Sequence, residues 1–333
     1  MDLTTTYLGL TLRNPVVASA SPLTIDVDNI RRIEDAGGAA VVLPSLFEEQ
    51  IEQEAKAFEP YTKTGPAGFA EALSFLPSAA SYSARPHEYL EVIRRAHEAT
   101  AIPLIASLNG VTGAGWTRHA RLAQDAGANA IELNVFFIPA HPSYIAQQVE
   151  QRYVDVLRAV KAAVTIPVSM KLSPYFSAPA HVIRVLSQVG ADGFVLFNRF
   201  YQPDIDLTSL RLRHEVQLST PAEIRLPLLW IGVLFAQVRG SLAASTGVDS
   251  YEEVIKYLLV GADVVMTTSA LLRHGIGHLG VLLSGLTHWL EARNIRSLSE
   301  VRGTMSQQKL KDPVAYERVN YIKMLQARVG NQR

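Results

Sequence analysis

Short apolar runs alternate with longer amphipathic segments along most of this chain. The apolar runs are rich in valine, isoleucine, leucine and alanine, and we predict strands at residues 15–20, 39–44, 103–108, 130–135, 167–172, 193–198, 241–246 and 263–268. Segments with helical periodicity lie between them, for instance residues 26–36, 86–100, 116–126, 144–164, 179–189 and 250–260. This alternation is typical of βαβ units around a parallel sheet. Eight such strands predict an α/β fold of the TIM (β/α)8 barrel type.

Most of the predicted helices stop at a glycine or at an X-Ile-Pro step. Gly37, Gly127, Gly190 and Gly261 each stand shortly before a predicted strand. Glycine readily adopts the left-handed backbone conformation that commonly ends a helix. The recurrence of this stop before a strand indicates one repeated supersecondary unit.

We predict one barrel domain with additions. Residues 1–294 are assigned to the barrel, with loop insertions at 48–85 and 199–226, and residues 295–333 to a helical tail that packs on it. Both insertions follow predicted strands, so both are expected over the C-terminal face, where the loops of such barrels carry the active site. A lid or substrate loop is the first interpretation of each insertion, and a dimer contact is the alternative.

Composition and charge narrow the class of protein. The 333 residues include 31 Lys plus Arg and 31 Asp plus Glu, which disfavours a basic groove for nucleic acid. The absence of cysteine excludes disulfides, thiolate metal sites and a cysteine nucleophile. The amino terminus is not built like a signal peptide, and no apolar run is long enough to cross a membrane. We therefore expect a cytoplasmic protein with no membrane partner.

Three polar side chains end successive apolar strands. They are Asn134, Lys171 and Asn198, and the barrel brings such strand ends around one pocket. A lysine flanked by amides suits an electron-rich ring whose reduced form is negatively charged, which is the chemistry of a flavin. The alternative is that the lysine reaches solvent and the amides satisfy loop backbone.

Small hydroxyl residues end the last two predicted strands. Thr246-Gly247 and Thr268-Ser269 allow backbone N–H groups to approach a phosphate, and the loops after the last two strands are the usual phosphate site of this barrel. The alternative is that these threonines and serines only cap the following helices.

Other chemistry has weaker signals. The histidines form no metal-binding pattern, and we read Asp204 and Asp206 as loop solvation, so no metal site is predicted. His141, Tyr144 and Tyr175 follow strand ends and are the candidates for a proton-transfer residue.

Together these motifs resemble the FMN-dependent dihydroorotate dehydrogenase family over nearly the whole chain. NPVVASAS at residues 14–21 is similar to the family's NPVxxASG, ELN at 132–134 to the start of ELNxSCPN, and KLSP at 171–174 to KLPP. TGV at 246–248 and TSA at 268–270 resemble its phosphate motifs TGGI and GTA. The resemblance implies a TIM barrel with one FMN at the C-terminal face and with Lys171 and Asn134 in catalysis. The implied FMN-binding residues are Ala18, Ser19, Ala20, Ser45, Asn134, Lys171, Asn198, Ser219, Thr220, Thr246, Gly247, Thr268 and Ser269.

The sequence departs from the family at positions that carry out the family's reaction or bind its substrate. Phe137 stands in the place of the Cys or Ser that removes a substrate proton, and phenylalanine cannot transfer one. Pro44 replaces a family lysine, and the family's orotate-carboxylate loop is unrecognisable in residues 70–82. The chain therefore resembles more closely the "dihydroorotate dehydrogenase-like" proteins. We expect Phe136 and Phe137 to form an apolar wall over the ring.

The leading hypothesis is an FMN-dependent oxidoreductase that acts on a CH–CH or activated C=C bond of a small planar substrate, less polar than dihydroorotate. One alternative is a non-catalytic or electron-transfer flavoprotein subunit. Another is a phosphate-sugar lyase or isomerase on the same barrel. The family resemblance implies a homodimer, with residues 199–226 as a candidate for part of its interface.

Overall fold

The centre of the molecule is a closed barrel of parallel strands. The computed structural model describes residues 1–49, 86–110, 114–199, 203–213 and 216–317, with the single positions 322 and 326. Its strands are β1 (Thr5–Tyr7), β2 (Leu10–Leu12), β3 (Val16–Ala18), β4 (Val41–Phe47), β5 (Leu104–Asn109), β6 (Ala130–Asn134), β7 (Val168–Leu172), β8 (Gly193–Leu196), β9 (Asp204–Asp206), β10 (Arg211–Arg213), β11 (Ser241–Ala244) and β12 (Val264–Thr267). The barrel order is β3-β4-β5-β6-β7-β8-β11-β12, closing on β3. The prediction of a TIM (β/α)8 barrel is confirmed.

Helices surround the barrel. They are α1 (Val27–Asp35), α2 (Pro86–Ala99), α3 (Ala114–Asp125), α4 (Ala146–Ala163), α5 (Pro179–Val189), α6 (Arg225–Leu234), α7 (Tyr251–Val260), α8 (Ser269–His274) and α9 (His278–Glu291). Two of them end as the glycine pattern predicts, because Gly190 and Gly261 cap α5 and α7 in the left-handed conformation. Among the described residues, no helix combines the length and the apolar character needed to cross a membrane.

The strands alternate between two cores, as a barrel requires. On β6, Ile131 and Leu133 point outward into the core between barrel and helices. Ala130 faces the second core inside the barrel, with Val42 and Ile105. Because the alternation continues along β6, Glu132 and Asn134 point into the barrel as well. The interior thus changes from apolar at the N-terminal end to polar at the C-terminal end.

The N-terminal hairpin closes the bottom of the barrel. Strands β1 and β2 pair antiparallel around Leu8 and Gly9, both of which have positive φ. Tyr7 and Leu8 are buried in the inner core, and the Leu8 N–H donates to the Ser241 hydroxyl at 3.0 Å. The sequence did not predict this hairpin.

The predicted insertion at 48–85 falls almost wholly outside the described residues, which stop at residue 49 and resume at 86. In the described part of 199–226, β9 and β10 form an antiparallel hairpin in which Ile205 lies opposite Leu212. The sequence predicted a loop insertion at 199–226 without this hairpin.

The described part of the C-terminal segment lies against α6 and α7. Backbone N–H groups of Gly303 and Gln307 donate to carbonyls of Leu258 and Gly232, at 3.0 and 2.9 Å. Residues 296–317 contain two 3₁₀ turns, Leu298–Glu300 and Pro313–Tyr316, and no α-helix in that described stretch.

Candidate active site

A cavity of about 150 Å³ opens at the C-terminal ends of β3, β7, β8, β11 and β12. We call it the first cavity. Many residues predicted to bind a cofactor line it, namely Ser19, Ala20, Lys171, Asn198, Ser219, Thr246, Gly247, Thr268 and Ser269. These residues lie at five barrel-strand ends and, for Ser219, in the loop after β10, so only the folded barrel brings them together.

One end of the first cavity is a cluster of hydroxyl and backbone groups. The Ser219 hydroxyl donates to the Ser269 hydroxyl at 2.9 Å and accepts from the Gly247 N–H at 3.1 Å. The Ser219 N–H also donates to Ser269 Oγ at 3.0 Å. The Thr268 hydroxyl oxygen is buried and has no hydrogen-bond partner in the described part of the chain. A buried hydroxyl without a partner is costly, so this end suits a ligand that supplies the missing bond.

Gly247 has to be a glycine at this end. Its φ is +74°, and a Cβ there would lie 2.7 Å from both the Thr220 carbonyl oxygen and the Ile224 side chain. The preceding Thr246 also has positive φ, and Tyr257 holds it by donating to its carbonyl at 2.8 Å. Burial raises the pKa of Tyr257, so its phenol stays a donor.

An arginine that the sequence did not single out lies behind this cluster. One Arg273 nitrogen donates to the Ser219 carbonyl at 2.6 Å, and another lies 2.8 Å from Asp249 Oδ1. The guanidinium therefore ties the Ser219 loop to the segment after β11 and adds positive charge there. Arg273 follows the TSA motif on α8, but no motif in the sequence links it to Ser219.

The other end of the first cavity carries the predicted lysine and amides. Lys171 reaches the cavity from β7 with a side chain that is 13% exposed, so it does not extend into solvent. The Asn198 amide nitrogen donates to Asn134 Oδ1 at 2.8 Å. The structure thus brings the three strand-end residues together, with Asn134 standing behind Asn198 rather than among the lining residues.

Three other predicted residues lie off the lining. Ala18 is fully buried in β3. The Ser45 hydroxyl is 2.8 Å from the Ser107 hydroxyl within the barrel. The Thr220 N–H donates to Glu223 Oε2 at 2.6 Å. Their side chains therefore support neighbouring strands and loops.

A second, wider cavity of about 740 Å³ adjoins the first and shares Phe197, Asn198, Arg199 and Thr246 with it. Its aromatic wall includes Phe136 and Tyr175. Arg199, which the sequence did not single out, lies 2.8 Å from Glu223 and also donates to the Gln217 carbonyl. The second cavity thus offers apolar faces beside a charged pair.

The three proton-transfer candidates and Phe137 occupy different places. Tyr175 lines the second cavity, whereas His141 is exposed and hydrogen-bonds Ser143 at 2.7 Å. Tyr144 packs edge-on against the Phe137 ring, with centroids 5.3 Å apart. The Arg152 guanidinium lies 3.9 Å over that ring, so Phe137 faces these neighbours, and Phe136 alone of the two lines a described cavity.

An eight-stranded barrel that gathers a lysine, amides and hydroxyl loops around one cavity has the architecture of a (β/α)8 enzyme. No protein-family model matches the chain. It is 27% identical to the NAD-dependent dihydropyrimidine dehydrogenase subunit PreA of Escherichia coli K12, over 91% of this chain and 76% of that protein. It is 27% identical to the dihydroorotate dehydrogenase B (NAD(+)) catalytic subunit of Methanocella arvoryzae and 23% identical to that of Thermoplasma acidophilum, over 91% of this chain and 97% and 98% of theirs. The chain is a relative of the dihydroorotate dehydrogenases and an oxidoreductase of their type.

Proposed function

We propose that the protein is an FMN-dependent oxidoreductase that acts on a CH–CH or activated C=C bond of a small planar substrate. The observation that carries this proposal is the first cavity, which has Lys171 at one end and the Ser219, Gly247 and Ser269 cluster at the other. A cation at one end and hydroxyl and N–H groups at the other match the two polar parts of FMN, its ring edge and its phosphate.

The residues present fit that cofactor. Ser219, Gly247, Thr268 and Ser269 would hold the phosphate, and the partnerless Thr268 hydroxyl would gain an acceptor. Ser19 and Ala20 would meet the ring, because small residues after β3 leave room for it. Bound FMN supplies hydride transfer. The Lys171 ammonium would stand at the polar edge of the ring, where it favours negative charge, and Asn198 would orient that edge.

We propose a substrate less polar than dihydroorotate. Its place would be the second cavity, whose wall carries Phe136 and Tyr175. Phenylalanine at position 137 removes the family's base, and the Phe137 ring packs against Arg152 and Tyr144. Of the three proton-transfer candidates, Tyr175 lines the second cavity, so we assign it the first test. A phenol can give or take a proton when it stands within hydrogen-bond reach of the reacting atom.

The first experiment is an absorbance spectrum of the purified protein, before and after reconstitution with FMN. We expect a flavin spectrum and binding of one FMN per chain. A colourless protein that takes up no FMN contradicts the proposal and favours the phosphate-sugar lyase or isomerase.

The second experiment is anaerobic mixing of the FMN-loaded protein with dihydroorotate and with dihydrouracil, followed by stopped-flow absorbance. We expect no rapid bleaching by dihydroorotate. Rapid bleaching would overturn the substrate part of the proposal but leave the cofactor part intact. A Tyr175→Phe variant, tested with any substrate that does bleach the flavin, then checks the proton-transfer role.

An electron-transfer subunit is the second candidate. It is favoured by Phe137 in the place of the base and by the names of the relatives, which describe subunits. Reduction of the flavin by a partner protein, without turnover of any small substrate, would support it. Steady turnover with NAD(P)H and a small acceptor would count against it.

We also propose that the chain forms a homodimer through the β9–β10 hairpin. Ile205, Leu207, Leu210 and Leu212 are all more than half exposed there, and an exposed apolar patch commonly marks a protein interface. Light scattering coupled to size exclusion should give twice the chain mass for the wild type and the chain mass for Leu207→Glu/Leu210→Glu. The matched control is Val281→Glu, which changes an exposed apolar residue on α9. A wild-type monomer would refute this proposal.

A further inference from the structure

A glutamate is buried inside the barrel directly beneath the first cavity. Glu132 lies on β6 with a side chain that is only 1% exposed, and neither carboxylate oxygen has a hydrogen-bond partner among the residues that the structure describes. Lys171 Nζ lies 3.5 Å from Glu132 Oε1. Among the described residues, Lys171 is the basic residue that forms an ion pair with this carboxylate. The mechanism proposed above does not use Glu132.

The strand register explains how the two side chains meet. Glu132 pairs with Ser169 on β7, and Lys171 stands two residues further along the same strand. Residues two apart on a strand share a face, so the lysine stem rises one layer above the glutamate within the barrel. Lys171 thereby lines the first cavity while its ammonium stays close to the carboxylate below.

The surroundings of Glu132 provide little other compensation for its charge. Ser107 and Ser169 flank it in the strand register. Burial is the main cause that raises the pKa of the Tyr7 and Tyr89 phenols. The negative charge of the nearby Glu132 carboxylate raises the pKa of each phenol further. A buried carboxylate and a buried ammonium are each costly alone, and removal of one partner leaves the other uncompensated.

We infer that Glu132 is a positioning residue for Lys171. The Glu132 carboxylate holds the Lys171 ammonium at the edge of the first cavity. The carboxylate also offsets the positive charge of the ammonium. Glu132 therefore limits how strongly the site favours the reduced, negatively charged cofactor over the oxidised one. The first half of this inference depends on the ion pair alone. The second half rests on the proposed function, because it needs FMN in the first cavity.

The ion pair is tested first in the protein without FMN, by urea unfolding of Glu132→Gln, Lys171→Met and the double variant. We expect Lys171→Met to lower the unfolding midpoint, because it leaves a buried charge unpaired. Adding Glu132→Gln to it should raise the midpoint again. Additive losses in the double variant would overturn the pairing. This cycle gives an answer whether or not the protein binds FMN.

The effect on the cofactor is tested by the flavin midpoint potential of the FMN-loaded protein. We expect Glu132→Gln to raise the ratio of affinities for reduced over oxidised FMN about tenfold, an upward shift of about 30 mV for two electrons. The control is Asp192→Asn, since Asp192 also pairs with a lysine, Lys161 at 2.7 Å, in a partly exposed pair at the opposite end of the barrel. An unchanged potential in Glu132→Gln, or an equal shift in the control, would overturn the inference.

Two further outcomes separate the two halves of the inference. If Glu132 acts mainly through Lys171, the potentials of the double variant and Lys171→Met should differ by clearly less than about 30 mV, and a difference of about 30 mV or more would overturn that route. The double variant carries neither buried charge, so this comparison remains possible even if Glu132→Gln alone fails to fold. A wild-type protein that binds no FMN would refute the proposed function and the second half of the inference, and leave the first half to the unfolding cycle.

Discussion

The Asn198 side-chain amide donates a hydrogen bond to the Asn134 side-chain carbonyl at 2.8 Å, although 64 residues separate them in the chain. Asn134 ends β6 and Asn198 follows β8, and β7 with Lys171 lies between those strands. The pair therefore spans the strand that carries the lysine. It ties Asn198, which lines the first cavity beside Lys171, to the strand on the other side of the lysine.

The amide pair should show energetic coupling. Asn198→Leu removes the described partner of Asn134, which is 7% exposed, so we expect it to lower the free energy of unfolding by about 1–3 kcal/mol. Asn134→Leu/Asn198→Leu should cost less than the sum of the two single changes, because it leaves neither amide buried alone. Urea unfolding of the four proteins without FMN measures this, and strict additivity would rule the coupling out.

Gly247→Ala should weaken FMN binding beyond its effect on folding. The added Cβ would meet the Thr220 carbonyl oxygen at 2.7 Å, and alanine disfavours a φ of +74°. Gly275→Ala is the matched control, because Gly275 has a φ of +83° and a Cβ added there would meet no atom of the described residues within 4 Å. Gly275→Ala should lose roughly 1–3 kcal/mol of stability through its backbone conformation alone, and Gly247→Ala should lose more because its Cβ also meets the Thr220 backbone. In flavin fluorescence titrations, only Gly247→Ala should bind FMN at least about tenfold more weakly, a loss of about 1.4 kcal/mol or more. Equal FMN affinities in the two variants would contradict this assignment.

Arg273→Met should discriminate between FMN and riboflavin. Arg273 holds the Ser219 carbonyl at 2.6 Å, so its loss should loosen the end of the cavity assigned to the phosphate. We expect about a tenfold loss of FMN affinity, or about 1.4 kcal/mol, with little change for riboflavin, which has no phosphate. Arg293→Met is the control, since Arg293 stacks on Trp289 at 4.2 Å, outside the lining of the first cavity. Equal losses for both ligands would show that Arg273 supports the site as a whole.

The buried phenol of Tyr153 should make the free energy of unfolding fall at high pH. Burial raises the pKa of Tyr153 from 10.0 to about 12, so the phenol stays neutral in the folded protein while it ionises in the unfolded chain. The contribution of the neutral Tyr153 phenol to the free energy of unfolding is therefore complete below pH 10. This contribution falls by about 1.4 kcal/mol per pH unit as the pH rises to about 12. Tyr153→Phe should lose stability less steeply over this window.

Unfolding curves from about pH 8 to pH 12 check this prediction. The control is Tyr144→Phe, because Tyr144 is 43% exposed and its replacement removes no buried phenol. Tyr153→Phe and the wild type should run parallel below pH 10. A constant difference between them up to about pH 12 would show that Tyr153 makes no such contribution.

The barrel was predictable because its strands are short apolar runs that repeat between amphipathic helices. Helix α6 gave a poorer signal, since Pro227 and Gly232 both disfavour a helix and the segment is apolar on nearly all sides. The β1–β2 hairpin was missed because its turn places Leu8, rather than glycine or asparagine, at positive φ. Tertiary packing of Leu8 in the inner core outweighs that local preference.

The candidate site was predictable only where a residue type was unusual for its position. Lys171 and the two asparagines end strands that are otherwise apolar, and the structure brings them together at one end of the barrel. Arg199 and Arg273 gave no such signal, because surface loops and short surface helices often contain arginine. Their contacts, with Glu223 and with Ser219, depend on loops that meet only in the folded chain.

The hairpin of Tyr7 and Leu8 also bears on kinetics. It closes the barrel at its amino end, and the first and second cavities adjoin each other at the carboxyl end, where they form one mouth in the described part of the chain. An electron donor and an electron acceptor that both needed this mouth would have to visit in alternation. Such alternation gives parallel lines in double-reciprocal plots, the signature of a ping-pong enzyme. The β1–β2 hairpin, at the other end of the barrel, would contribute to this kinetic behaviour by keeping that end closed.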